Sequence, residues 1–147
     1  MKKVFSFLTA GLLTAALVTT SSCTKTCDPG YEGSDCKTAM NAKFAGTYSV
    51  KDTATTGGTS TVYNYSMTIT APSSTPSSVS ISNFGGFGTG TTISGTVDGT
   101  SLTVADGTLA GVHISAASGS INGSALHFVY TSTDSTSVST SHAMGLK

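Results

Sequence analysis

From Phe44 onward, no stretch of ten or more residues keeps apolar side chains at positions i, i+3, i+4 and i+7, whereas strict alternation of apolar and polar residues recurs along the chain. That period of two is the strongest constraint here, because it gives an amphipathic helix no continuous face and gives a strand one buried side. Phe44, Gly46, Tyr48 and Val50 alternate with Ala45, Thr47, Ser49 and Lys51. Tyr63, Tyr65, Met67 and Ile69 alternate with Asn64, Ser66, Thr68 and Thr70. Gly57-Gly58 breaks the chain between these two segments, and the run APSSTPSS with Pro72 and Pro76 separates the second from a strand carrying Val79 and Ile81.

Asp98-Gly99 and Asn122-Gly123 each predict a hairpin, since a type I′ turn needs φ > 0 at both central residues. Pairing across the first places Ile93, Val97, Leu102 and Val104 on one face and Ser94, Thr96, Ser101 and Thr103 on the other. Across the second, Ile121 groups with Leu126, Phe128 and Tyr130, but Val112 and Ile114 fall on the wrong side. A β-bulge between Ala116 and Gly119 repairs the mismatch. With a last strand around Val138 to Met144, about eight short strands follow one another through tight turns. The expected fold is all-β, an antiparallel up-and-down barrel that leaves no open edge, with a two-sheet β-sandwich as the alternative.

Composition narrows the function classes. Only 10% of residues are charged, against a typical share of about 25%, while Ser and Thr make up roughly a third, so solubility rests on hydroxyls. There is no Arg, and the lysines beyond the N-terminal segment are scattered at Lys25, Lys37, Lys43, Lys51 and Lys147. No basic patch forms to neutralise phosphates, so nucleic acid is not an expected partner.

The N-terminus reads as an export signal: Met1, Lys2 and Lys3, an apolar run from Val4 to Val18, then Thr19, Thr20, Ser21 and Ser22. The apolar run is shorter than the ~20 residues a transmembrane helix needs. Cys23 directly after Ser21-Ser22 resembles the lipobox of bacterial lipoproteins, with Thr20 where that family usually has an aliphatic residue. The resemblance implies a signal peptide over 1–22 and a diacylglyceryl group on Cys23, which holds the exported chain on a membrane. Removing Lys2 and Lys3 leaves five lysines against seven acids, a net charge of about −2.

With Cys23 lipidated, Cys27 and Cys36 are left and only one pairing exists. The run CDPGYEGSDC resembles the last disulfide loop of an EGF-like module, with Cys27, Gly30, Tyr31, Gly33 and Cys36 at that family's positions. The expected organisation is therefore a tether over 23–42 containing a Cys27–Cys36 loop, then one barrel over 43–147. FAGTYSV, YSMTIT, SVSISNFGG, SGTVDGTSLTV and INGSALHFVYTST together resemble the calycin-like (lipocalin-like) β-barrel domains of lipoproteins from the Bacteroidetes group, with Gly46-Thr47-Tyr48 at the position of a Gly-x-Trp motif. This implies an eight-stranded barrel, membrane anchoring in the cell envelope at the outer membrane, and a small apolar cavity at the barrel mouth.

No catalytic constellation stands out. His113, His127 and His142 have no zinc-type spacing, so no metal is expected. A Ser-His-Asp set is arithmetically available, as in any Ser-rich chain, but there is no GxSxG elbow and no distinctive carboxylate pair, so the chain is not expected to be an enzyme or to need a cofactor. Gly85, Gly86, Gly88 and Gly90 lack the following helix and Lys of a phosphate loop, and read as a turn or barrel corner. The expected partners are the membrane, through the lipid, and a small apolar ligand or envelope lipid lined by Tyr48, Tyr63, Tyr65 and Met67. The alternative is a surface interaction or structural protein that meets a protein or polysaccharide through its Thr- and Ser-rich faces.

Overall fold

The computed structural model describes residues 26–147, so the export signal and Cys23 lie outside the described residues. A two-stranded ribbon opens the fold, β1 (Tyr31–Glu32) with β2 (Thr38–Ala39), followed by a 3-10 turn over Met40–Phe44. Nine strands follow: β3 (Gly46–Thr56), β4 (Thr59–Thr70), β5 (Ser78–Ser82), β6 (Thr92–Asp98), β7 (Ser101–Val104), β8 (Gly107–Leu109), β9 (Val112–Asn122), β10 (Ala125–Thr133) and β11 (Val138–Leu146). All pair antiparallel, and the sheet closes because β10 pairs with β9 on one side and β11 on the other, while β11 pairs back onto β3. Closure excludes the sandwich. Eight strands make the barrel wall, and the short β8 continues the stave begun by β7, pairing with the start of β9 while β7 pairs with its end.

The alternating pattern sets which residues fill the barrel. Tyr48, Val50, Met67, Ile69, Ile81, Val97, Leu102, Ile114, Leu126 and Phe128 are buried, and their polar neighbours along each strand face outward. Each large apolar side chain removed from water contributes about 1.5–3 kcal/mol, which suffices for a core in a chain of low charge. The bulge falls where the pattern requires it. Ala116 has φ +51°, the β9–β10 register shifts between Val129 and Thr131, and Ile114 turns inward.

Both Asx-Gly hairpins form, with their turns displaced by one residue from the expected position. Asp98 pairs with Ser101 and Asn122 with Ala125, so the central residues are Gly99-Thr100 and Gly123-Ser124, and only the glycine of each has positive φ. Glycine first and an ordinary residue second is the preference of a type II′ turn, not type I′. The displacement moves the pairing by two positions, so the faces are unchanged. Gly57-Gly58 and Ala110-Gly111 do have positive φ at both central residues.

The two ends of the barrel differ. At one, Asn41 is buried and its Nδ2 donates toward the carbonyls of Thr75 and Ser78, both at 2.8 Å, and of Pro72 at 3.1 Å, tying the 3-10 turn to the connection before β5. Lys147 Nζ donates to the carbonyls of Lys43 and Ala45 and lies 5.3 Å from the centroid of the Tyr48 ring. Cys27 and Cys36 are disulfide-bonded, and the loop they close packs on this end: Met40 N donates to Gly30 O, and a Cβ at Gly30 would lie 2.8 Å from Pro76 Cγ. The opposite end holds the hairpins β3–β4 and β10–β11 and the connection 83–91.

Candidate functional site

At that opposite end the inward phase of each strand continues, but the residue types change. On β3 the positions after Tyr48 and Val50 are Asp52 and Ala54. Tyr63 stands directly across from Asp52 on β4; on β10 and β11, Tyr130 pairs with Ser141. These side chains, with Ser132, Ser139, Val112 and Asp134, surround a cavity of about 270 Å³.

One wall is the Gly-rich connection. Asn83, itself at φ +57°, donates through Nδ2 to Ser66 O (2.7 Å) and accepts from Gly88 N (2.8 Å), which folds the segment back over the barrel. Phe84 drops into the core, edge-on to Phe128 with centroids 5.3 Å apart and tilted against Tyr130 at 4.8 Å. Gly85, Gly86 and Phe87 then line the cavity. Gly85 has φ +65°, and a Cβ there would sit 2.3 Å from Phe87 Cε2 and 3.0 Å from Tyr130 Oη, so only glycine admits this close approach.

The cavity floor carries an Asp–Tyr–Tyr network. Asp52 is 1% exposed; Tyr130 Oη donates to its Oδ2, and Tyr65 Oη donates to the same oxygen at 3.3 Å. The second oxygen, Oδ1, is buried and has no hydrogen-bond partner among the described residues. Buried polar atoms are almost always paired, which sets this one apart. Burial, with the neighbouring Tyr130 and Asp52 adding to it, pushes the Tyr65 phenol far above its usual range. Burial and then the hydrogen bond to Asp52 do the same for Tyr130. Both phenols are therefore held protonated, as donors.

At the rim, the Asp134 carboxylate accepts from Thr136 N and Oγ1 and from Ser137 N and Oγ, at 2.7 to 3.1 Å. Those hydrogen bonds, the Thr136 backbone N–H first, bring its pKa down to about 2, so it is an anion at any ordinary pH.

The four aromatic and thioether residues singled out in the sequence are distributed along the barrel. Tyr48 is fully buried near the tied end, where its Oη donates to Phe44 O (2.7 Å) and burial pushes its pKa up to about 12. Met67 is packed in the core. Tyr65 is half-buried on Asp52, and Tyr63, 53% exposed, lines the cavity rim. His127 and His142 lie outside on neighbouring strands, and among the described residues no three of His, Cys, Asp or Glu converge as metal ligands do. Sequence reasoning overlooked Asp52, although the phase of Tyr48 and Val50 carried forward two residues points it inward. Tyr130 was placed in the core, and its hydroxyl is the part that reaches Asp52.

No protein-family model matches the chain, and neither does any curated protein or solved structure with which it was compared. The site is therefore read from its own geometry.

Proposed function

We propose that the protein is an exported, lipid-anchored binding module that takes a small organic molecule into the open end of its barrel. The observation that carries the reading is Asp52: a carboxylate at the floor of a cavity, oriented by two phenol donors and left with one oxygen unsatisfied. A buried polar atom without a partner costs about 1–3 kcal/mol, and a fold retains it where a ligand or water completes it. Eight-stranded barrels have an interior just wide enough to be filled by side chains or to hold one small ligand. Here the filled part and the hollow part occupy opposite ends.

The anchor rests on Cys23 and the segment before it, which have the layout of a lipoprotein signal, and it implies an outer-membrane address in the cell envelope. Three residues lie between Cys23 and Cys27, so the four Cα–Cα steps reach at most about 14 Å. Because the Cys27–Cys36 loop packs on the tied end, a lipid on Cys23 directs the barrel mouth away from the membrane. Both this orientation and the modest volume favour a small molecule from the aqueous side over a diacyl lipid from the bilayer beneath. The ten-residue loop then serves as a rigid spacer, in keeping with its likeness to the end of an EGF-like module, and the barrel as a calycin-like ligand holder.

The test is denaturing mass spectrometry of the full-length chain purified from its native host, beside an Ala54→Phe variant that fills the mouth. A small molecule released stoichiometrically by the first and absent from the second supports binding. Equal release from both, or none from either, refutes it. Metabolic labelling with a fatty acid that fails in Cys23→Ser checks the anchor.

A further inference from the structure

We propose that the ligand is a small organic ammonium ion, with its N–H groups on the Asp52 carboxylate and its carbon framework against Tyr63, Phe87 and Tyr130; this rests on the barrel mouth being a ligand site. Three independent observations lead to it. The first is the direction of the missing hydrogen bond. Oδ2 of Asp52 accepts from two phenols, and Oδ1, enclosed by its neighbours, accepts from nothing among the described residues, so a group admitted beside it by a small side-chain shift is expected to be a donor.

The second is charge. Among the described residues the cavity is lined by two carboxylates, Asp52 and Asp134, and by no Lys or His. An anionic ligand would meet like charge with no compensating cation, whereas an ammonium meets an acceptor at the floor and an anion at the rim. Hydrogen bonds between ionised partners are about twice as strong as neutral ones, which favours an amine over an alcohol of the same shape. The protonated phenols of Tyr65 and Tyr130 add no competing positive charge.

The third is the wall. Tyr63, Phe87 and Tyr130 give a cavity of this size three aromatic rings, and ring faces attract cations as well as carbon. A bare metal ion does not suit such a lining, since no cluster of three ligating side chains forms among the described residues. The volume, about 270 Å³, lies just below the usual range for drug-sized ligands, which limits the guest to a compact molecule.

The experiment uses the full-length chain in detergent and three matched probe series: benzyl, 2-phenylethyl and indolylethyl amines, the corresponding alcohols, and the corresponding carboxylates. Saturation-transfer NMR detects binding and titration ranks it. The amines are expected to bind at least about tenfold more tightly than the alcohols, with the carboxylates weakest. Asp52→Asn, with its fold checked by near-ultraviolet circular dichroism, should bring the amines down to the alcohols. Asp134→Asn changes an exposed side chain and should weaken amine binding roughly two- to threefold while flattening its salt dependence. Alcohols that bind as well as amines to the unaltered chain would overturn the ammonium assignment and leave the ligand site standing. If Asp52→Asn does not fold, amine binding indifferent to both salt and Asp134→Asn overturns it instead. Binding of no series, or binding unaffected by Ala54→Phe, removes the site itself.

Discussion

Replacing Tyr130 with Phe isolates the bond on which the cavity floor depends. The ring is 97% covered and packs against Phe84 at 4.8 Å, and Phe keeps all of that packing while losing only the hydroxyl. Among the described residues Asp52 is left buried with Tyr65 Oη at 3.3 Å as its single side-chain donor and Oδ1 still unpaired. Hydrogen bonds to a carboxylate are worth about 1.5–3 kcal/mol, and without the Tyr130 hydroxyl Oδ2 keeps only the longer bond from Tyr65. For ~120 described residues, an unfolding entropy near 2.1 cal/mol/K per residue makes each kcal/mol worth about 4 °C in Tm. Tyr130→Phe should therefore lower Tm by roughly 6–12 °C.

Tyr65→Phe removes the longer bond and should cost less, about 0.5–1.5 kcal/mol. The double variant Asp52→Leu/Tyr130→Phe removes donor and acceptor together, so it should be less destabilised than the sum of its single changes, by about 1–3 kcal/mol. Reversible urea denaturation of the four variants, with unchanged slopes, measures all of these. A cost for Tyr130→Phe within about 0.5 kcal/mol of zero, or a larger cost for Tyr65→Phe, would refute the assignment of Tyr130 as the principal donor.

Three further outcomes follow from the same geometry. Tyr48, Tyr65 and Tyr130 all hold their protons above the usual phenol value near 10, so between pH 10 and the folded values the native chain binds protons that the unfolded chain has released. Stability should be intact below pH 10 and fall above it by up to ~1.4 kcal/mol per pH unit for each residue, more shallowly in Tyr48→Phe; a pH series of urea titrations reads this. Asn41→Asp turns a donor that faces three carbonyls into an acceptor, and should destabilise more than Asn41→Ala, itself about 2–3 kcal/mol down by thermal melting. Gly85→Ala forces a Cβ onto the Phe87 ring at positive φ and should cost about 1–3 kcal/mol while displacing Phe87, seen as a changed near-ultraviolet spectrum and weakened binding of any ligand of the cavity.

The barrel was legible because period-two alternation is local information: Ile93, Val97, Leu102 and Val104 face inward whichever neighbouring residues form the turn. Even the bulge at Ala116 could be inferred, since only an extra residue brings Ile114 back to the face of Ile121. The cavity was less legible for a physical reason. Inward position alone does not tell a packed side chain from one beside a void; Tyr48 and Tyr63 look equivalent in the pattern, yet one is sealed and the other stands at the rim. Asp52 interrupts the apolar series and so reads as the end of a buried face, when it continues that face with a different chemistry. The insertion of Phe84 between Phe128 and Tyr130 depends on glycines whose φ values a sequence does not specify.

Strand length explains why the hollow lies where it does. β3 and β4 run for 11 and 12 residues, whereas their neighbours β5 and β6 have 5 and 7, so the wall is tall on one side and low on the other. At the tied end Asn41 and Lys147 close the gap with hydrogen bonds to backbone carbonyls. At the other end the low side is met by the connection 83–91, which reaches in with Phe84 and Phe87 but has no side chain at Gly85 or Gly86 to fill what is left. Packing a Leu at position 52 and closing that gap would satisfy the core more fully than a carboxylate with an unpaired oxygen does. Asp52 projects inward from the tall β3 side, and Gly85 and Gly86 line the same cavity from the connection that meets the low side, an arrangement that supports the proposed ligand site.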